Sequence, residues 1–242
     1  MLIEVNHLTK CFGPDKVVAD ATFSVDAGER VAIIGRNGAG KTTLLRLLST
    51  FLPPTSGYAK ISGFDLLSKA NAIRSIVGYL PEQAPLYPDM TVTSYLRYRG
   101  KLRRLPREYL IRRLHEVVDF CNLAAIRDAR IQTLSNGRRH AVALADAILH
   151  EPDVLLFDDP LVGADPDQTE KLTELMTSPV VSDGRAILFV THNIDLVRTA
   201  ATRMICLNHG NIIADTSDLD VLQNKTLAEL FRMWTTAAEP PV

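Results

Sequence analysis

The chain has 242 residues with 27 Lys and Arg against 28 Asp and Glu, 46% hydrophobic and 23% charged, which supports a folded core and excludes disorder or a fibrous repeat. A formal charge of −1 argues against holding nucleic acid by counterion release, so no nucleic-acid partner is expected. The apolar runs Val154–Phe157 and Ala186–Val190 fall far short of the ~20 residues that cross a bilayer, Met1-Leu2-Ile3-Glu4 has no secretion-type pattern, and Cys11, Cys121 and Cys206 are too scattered for a disulfide frame or zinc site, which together predict a reducing, cytoplasmic setting.

Residues 1–29 read as short strands, Leu2–Val5 and Ala21–Val25, broken by Gly13-Pro14-Asp15 and Asp26-Ala27-Gly28, which predicts an antiparallel flank. Arg30–Ile34 reads as a buried strand, and Lys41–Thr50 puts Leu44, Leu45, Leu47 and Leu48 at helical spacing. Between them, Gly35-Arg36-Asn37-Gly38-Ala39-Gly40-Lys41-Thr42 fits G-x-x-x-x-G-K-[ST] in the strand-to-helix setting that a phosphate loop requires. Glycines let backbone N–H groups crowd around phosphate oxygens, the helix N-terminus favours anions, Lys41 reaches the β and γ phosphates, and the Thr42 hydroxyl can hold Mg²⁺. The specified positions recur by accident in about one chain in a hundred of this size, so a plain glycine turn is a poor explanation.

Residues from about 90 to 150 carry three helical patterns and hardly any strand signal, which predicts a helical lobe inserted into an α/β core. Within it, Arg97–Arg113 holds eight Lys and Arg and one acid, Glu108, among apolar residues. That pattern suits either a solvated helix face or the anionic leaflet of a membrane. Leu134-Ser135-Asn136-Gly137-Arg138 precedes a helix predicted over Arg139–Leu149, where Ser135 and the N–H groups near Gly137 form an anion-favouring helix start or a simple serine cap. Val154–Phe157 is a strand delivering Asp158 to the same sheet end as Lys41, where a Mg²⁺ ligand belongs; alone, a strand ending in Asp reads equally as a turn or helix cap. Ala186–Val190 is a further buried strand leading into Thr191-His192, and a short helix is expected over Leu219–Trp234 before a frayed Glu239-Pro240-Pro241-Val242 end.

These motifs, in this order, resemble the ATP-binding subunits of ATP-binding cassette (ABC) transporters along nearly the whole chain. The resemblance implies an α/β P-loop NTPase fold with a parallel sheet, an N-terminal antiparallel flank and an inserted helical lobe. It divides the single domain into a core (residues 1–83 and 151–217), a lobe (84–150) and a C-terminal helix and tail (218–242). Leu134–Arg138 is similar to the family's L-S-G-G-Q signature, whose helix addresses the ATP held by the other subunit of a dimer. The resemblance further implies that Phe12 stacks on adenine, that Gly35, Asn37, Gly38, Ala39, Gly40, Lys41, Thr42 and Thr43 surround the triphosphate, and that Ser135 and Gly137 cap the partner's ATP. Thr42, Asp158 and, through water, Glu82 fall to Mg²⁺; Asp159, His192 and Lys41 to catalysis; and Gly163-Ala164-Asp165 to the loop joining the two ATP sites. Partners implied are a separate transmembrane permease subunit and a second ATP-binding subunit, identical or related, with peripheral contact at the cytoplasmic face of the membrane. Gly78-Tyr79-Leu80-Pro81-Glu82 resembles the exporter-like branch.

Four positions depart from the family pattern: Glu82 for glutamine, Asn136 for the first signature glycine, Arg138 for glutamine, and Asp159 where a glutamate usually orients the attacking water. A carboxylate one methylene shorter is retracted by about 1 Å, and a misplacement of that size can lower a rate about 10²-fold. Slow hydrolysis is the expectation, with a hydrolysis-impaired partner in a heterodimer as the alternative.

Overall fold

The computed structural model describes residues 1–164, 166–178, 184–222 and 227–238. β1 (Ile3–Phe12) and β2 (Asp15–Val25) form an antiparallel hairpin around Gly13, and β4 (Ser56–Ile61) and β5 (Phe64–Asp65) extend it to a four-stranded sheet in the order β2-β1-β4-β5. Here β3 is Arg30–Gly35, which belongs to a second sheet. Its other strands are β6 (Val77–Leu80), β7 (Val154–Asp158), β8 (Ala186–Val190), β9 (Arg203–Asn208) and β10 (Asn211–Thr216), in the order β10-β9-β3-β8-β7-β6. All neighbours in it pair in parallel except the β9–β10 hairpin.

Why this sheet is central follows from its residues. Val31 and Ile33, Val154 and Leu156, and Ala186, Leu188 and Val190 enter one core, shared with the antiparallel sheet and with α1 (Lys41–Leu48). Their alternates, Ala32 and Ile34, Leu155 and Phe157, Ile187 and Phe189, enter the other. A strand with both faces covered needs apolar residues at every position, as the continuous runs in β7 and β8 have. Phe157 and Phe189 are wholly buried, and each such side chain contributes about 3 kcal/mol by removal from water.

The second core lies under α5 (Asn136–Ile148), α6 (Pro166–Thr177) and α7 (Ile194–Ala200). Ahead of α5 come α2 (Ala70–Ile76), α3 (Val92–Leu102) and α4 (Arg107–Phe120), the last two joined to α5 by short 3₁₀ turns at Ala124–Ile126 and Ile131–Thr133. Asp146 of α5 binds the lobe together. Its carboxylate accepts from Arg99 Nε at 2.9 and 3.0 Å, from Arg103 Nη1 at 2.7 Å and from the Tyr95 hydroxyl at 3.2 Å. Arg113 of α4 donates to the carbonyls of Ile148 and Leu149, which lack intrahelical donors at the C-terminal end of α5.

Three sequence expectations change. In the basic stretch, Arg99, Arg103 and Arg113 turn inward to Asp146 and to carbonyls because α5 offers a buried anion and a helix end; Arg97, Lys101, Arg104 and Arg107 are exposed. The signature helix starts three residues earlier than predicted, at Asn136, because Ser135 caps it. The C-terminal segment is a 3₁₀ turn at Leu219–Leu222 followed by α8 (Leu227–Ala238) rather than one helix over Leu219–Trp234; the expected frayed end 239–242 lies outside the described residues.

Candidate functional site

β3 runs into the glycine loop and α1 leaves it. Gly35 closes the strand so tightly against β9 that a Cβ would sit 2.6 Å from the Leu207 carbonyl oxygen. Gly40 has φ +99°, and a Cβ there would sit 2.3 Å from the Val17 oxygen of β2, so only glycine fits. That approach brings the hairpin carrying Phe12 against the loop. Phe12 ends β1 with 48% of its surface exposed and the Lys10 ammonium 5.1 Å from its ring centroid. From the other side, Gly210 in the β9–β10 turn donates its N–H to the Ala39 carbonyl at 3.0 Å. Val17 and Gly210 are loop-shaping residues that sequence reasoning missed; the His209-Gly210 turn was the available signal for one, and nothing local marks the other.

α1 has no side-chain cap, and its first backbone bond is from Leu44 N–H to the Gly40 carbonyl, so the N–H groups of Lys41, Thr42 and Thr43 precede the helical ladder. The Lys41 side chain is buried, its ammonium donating to the carbonyls of Gly35 at 2.7 Å and Arg36 at 3.1 Å. Burial lowers its pKa, opposed by the Asp159 and Asp158 carboxylates. A cation that spends its bonds on two neutral carbonyls keeps its charge available to a phosphate.

Asp158 follows Leu156 on the α1 side of β7, by strand alternation. Its Oδ1 accepts from Thr42 Oγ1 at 3.0 Å. Burial raises the Asp158 pKa; the Thr42 hydrogen bond opposes this, while the Asp159 and Glu82 carboxylates add to it. The strand ends and loops thus bring three acids near one lysine. Glu82 is exposed in the loop after β6.

Asp159 sits at φ +47°, a conformation in which Asp is better tolerated than most residues. Its N–H donates to Val190 at 3.0 Å, and its Oδ1 accepts from the His192 backbone N–H at 3.3 Å, with Oδ2 3.5 Å from His192 Nε2. The carboxylate therefore faces the exit of β8. The turn carrying His192 is fixed by Thr191 Oγ1, which accepts from Asn193 N–H at 3.0 Å, and by Asn193, whose Oδ1 caps α7.

Ser135 Oγ accepts from Arg138 N–H at 3.3 Å, making it the cap of α5. A Cβ on Gly137 would lie 3.1 Å from the Gly163 oxygen, so the start of α5 packs against the turn that follows β7. Asp165 lies outside the described residues. Among the described residues no hydrogen bond joins Ser135 or Gly137 to the glycine loop of the same chain.

Two features test whether Mg²⁺ fits. The Thr42–Asp158 pair offers hard oxygen donors beside the loop, and no cluster of three His, Cys, Asp or Glu able to hold a metal exists among the described residues. One hydroxyl and one carboxylate, with waters and substrate phosphates completing an octahedron, is the usual protein share of a Mg²⁺ site, so the residues fit.

A strand, a glycine loop and a helix with a Thr–Asp pair beneath them define a P-loop nucleotide-binding domain. A family model described as "ABC transporter" matches residues 18–162. A Nod factor export ATP-binding protein I from Cupriavidus metallidurans is 28% identical over 99% of this chain and 78% of its own length. A methionine import ATP-binding protein from Rhodopseudomonas palustris is 31% identical over 91% of this chain and 60% of its own. A solved structure of an ATP-binding subunit of an ABC transporter superposes with a TM-score of 0.88 at 29% identity, covering 97% of this chain and all of the other. The chain belongs to the ABC transporter family as an ATP-binding subunit, and its class hydrolyses ATP.

Proposed function

We propose that the chain holds MgATP between its own glycine loop and the Ser135 helix of a second ATP-binding subunit, and that closure and hydrolysis drive a separate transmembrane permease. The observation that carries this is the Thr42–Asp158 hydrogen bond beside a loop whose lysine is buried and, among the described residues, bonded to neutral carbonyls. The N–H groups of residues 35–43, Asn37 and Thr43 among them, receive the phosphates, and Phe12 stacks on the adenine. Lys41 exchanges its carbonyls for β- and γ-phosphate oxygens. Thr42 and Asp158 would hold Mg²⁺, with Glu82 reaching it through water; bound there, the ion would supply charge neutralisation to the phosphates. Asp159 orients a water whose oxygen bonds to the γ phosphorus as the bond to the ADP oxygen breaks, and His192 contacts the γ phosphate. Ser135 and Gly137 of the second subunit close the site, so two ATP molecules lie between two chains.

The lobe at 84–150 is the part that meets the permease, set on the core at 1–83 and 151–217. Its exposed Arg97, Lys101, Arg104 and Arg107 suit the anionic leaflet at the cytoplasmic face, each contributing about 1 kcal/mol near the surface. Among the described residues no helix is long and apolar enough to cross a membrane. The Gly78–Glu82 stretch supports the exporter-like branch; relatives named for export and for import resemble this chain to a similar degree.

Hydrolysis in this reading is slow, because the Asp159 carboxylate is short and turned toward His192. Asp159→Glu should raise steady-state turnover at least about tenfold. Fast turnover by the wild type, with no gain from the glutamate, would overturn it. The second reading, a hydrolysis-impaired partner in a heterodimer, is favoured by the same turned carboxylate together with Arg138, which is exposed on the signature helix. It predicts that purification from membranes yields this chain with both a permease and a second, different ATP-binding subunit; a homodimer with the permease rules it out.

A further inference from the structure

The β6–β7 register places Tyr79 opposite Leu156, and Tyr79 packs into the same core as Leu156, the core that α1 also covers. Asp158 lies two residues beyond Leu156 on that face of β7. Thr42 and Arg46 lie one helical turn apart on α1. The Tyr79 hydroxyl is shielded from solvent and has no hydrogen-bond partner among the described residues. A buried hydroxyl without a partner destabilises a fold, and its persistence calls for a reason. The charges acting on it are those of the nucleotide site. Burial pushes the Tyr79 phenol up to about 12, with the Asp158 carboxylate adding to the rise and the Arg46 guanidinium opposing it. A phenol is protonated at neutral pH, so the group is a donor on the sheet face that carries Asp158. That carboxylate has one hydrogen-bond donor among the described residues, Thr42, the hydroxyl that Mg²⁺ would also engage.

We infer that Tyr79 is a positioning residue for Asp158: its hydroxyl donates to the carboxylate once Thr42 and Asp158 share a divalent cation, and Arg46 holds the phenol oxygen in place. A metal-bound carboxylate needs an outer hydrogen bond to fix its orientation, and the orphaned hydroxyl is placed to give one. The inference rests on the reading of Asp158 as the Mg²⁺ carboxylate.

Tyr79→Phe removes one oxygen atom and keeps the ring. Titrating the full chain with a fluorescent ATP analogue, with and without Mg²⁺, and measuring Mn²⁺ affinity by electron paramagnetic resonance separates a positioning role from a structural one. The variant should bind the analogue without metal as the wild type does and melt no earlier without nucleotide. Its metal-dependent gain in affinity should fall about tenfold. An unchanged gain, or equal losses with and without metal, overturns the inference. A wild type whose affinity does not respond to Mg²⁺ overturns the Asp158 reading as well, a distinct result. If Tyr79→Phe does not fold, Arg46→Gln on the exposed side of α1 decides the matter: a loss of about threefold in the metal-dependent gain supports the inference, and no loss defeats it.

Discussion

Two buried carboxylates, Asp146 and Asp158, have opposite surroundings. Asp146 has both oxygens engaged by Arg99, Arg103 and Tyr95, two cations and a hydroxyl for one anion. Asp158 has one hydroxyl, with two further acids nearby and a lysine turned to carbonyls. A saturated anion is structural, tying α3 to α5. An unsaturated one, beside a loop of backbone N–H groups, keeps acceptor capacity for a further partner. The difference teaches that burial of a charge does not mark a functional site; the shortage of partners does.

Substitutions on each side break or sharpen this contrast. The largest effect is expected at the unsaturated site: Lys41→Ala should lower kcat/KM for ATP about 10³-fold while leaving the melting temperature within about 2 °C, in a coupled assay run beside calorimetry. A large loss of melting temperature would make Lys41 a structural cation and erase the distinction. On the saturated side, Asp146→Ala strands two partly buried guanidinium groups and should cost about 4 kcal/mol in urea unfolding, with ATP binding to the folded chain preserved. A loss below about 1 kcal/mol would mean that the ion cluster holds nothing together.

The third and smallest effect is pH-dependent. His150 is buried behind the Asp146 cluster, with its Nε2 3.1 Å from the Val77 carbonyl, and burial, then Arg103, lowers its pKa from 6.5 to about 4. The unfolded chain takes up that proton between pH 6.5 and about 4 and the folded chain does not, so stability present at pH 7 is lost as pH falls through that window. The group accounts for up to about 3 kcal/mol, and His140, lowered by burial, acts in the same direction. Asp158 acts oppositely: its raised pKa means the folded chain holds the proton more tightly, so it subtracts stability as pH rises above 3.8. Urea midpoints at pH 7 and pH 4.5 should show a flatter slope in His150→Gln than in the wild type; equal slopes would remove His150 from the account.

The sequence made the glycine loop legible because its chemistry is local: spacing, glycine content and the following leucines all lie within Gly35–Leu48. The Asp158 strand was legible because both its faces are buried. What escaped is non-local. Ser56–Ile61 carries three exposed residues at its start and becomes a strand by pairing with β1, so its own pattern gives little sign of it. The inward turn of Arg99 and Arg103 depends on an aspartate 47 and 43 residues away, and a run of arginines reads the same whether it faces water or a buried acid. The turned Asp159 carboxylate depends on His192, 33 residues on, and no spacing rule announces it.

The bond from the Gly210 N–H to the Ala39 carbonyl also bears on engineering. Splicing a reporter or affinity peptide into the His209-Gly210 bend would tug on the glycine loop, so inserted peptides belong elsewhere. A small fluorophore on His209→Cys, beside that bond, should instead report on any ligand that the glycine loop takes up.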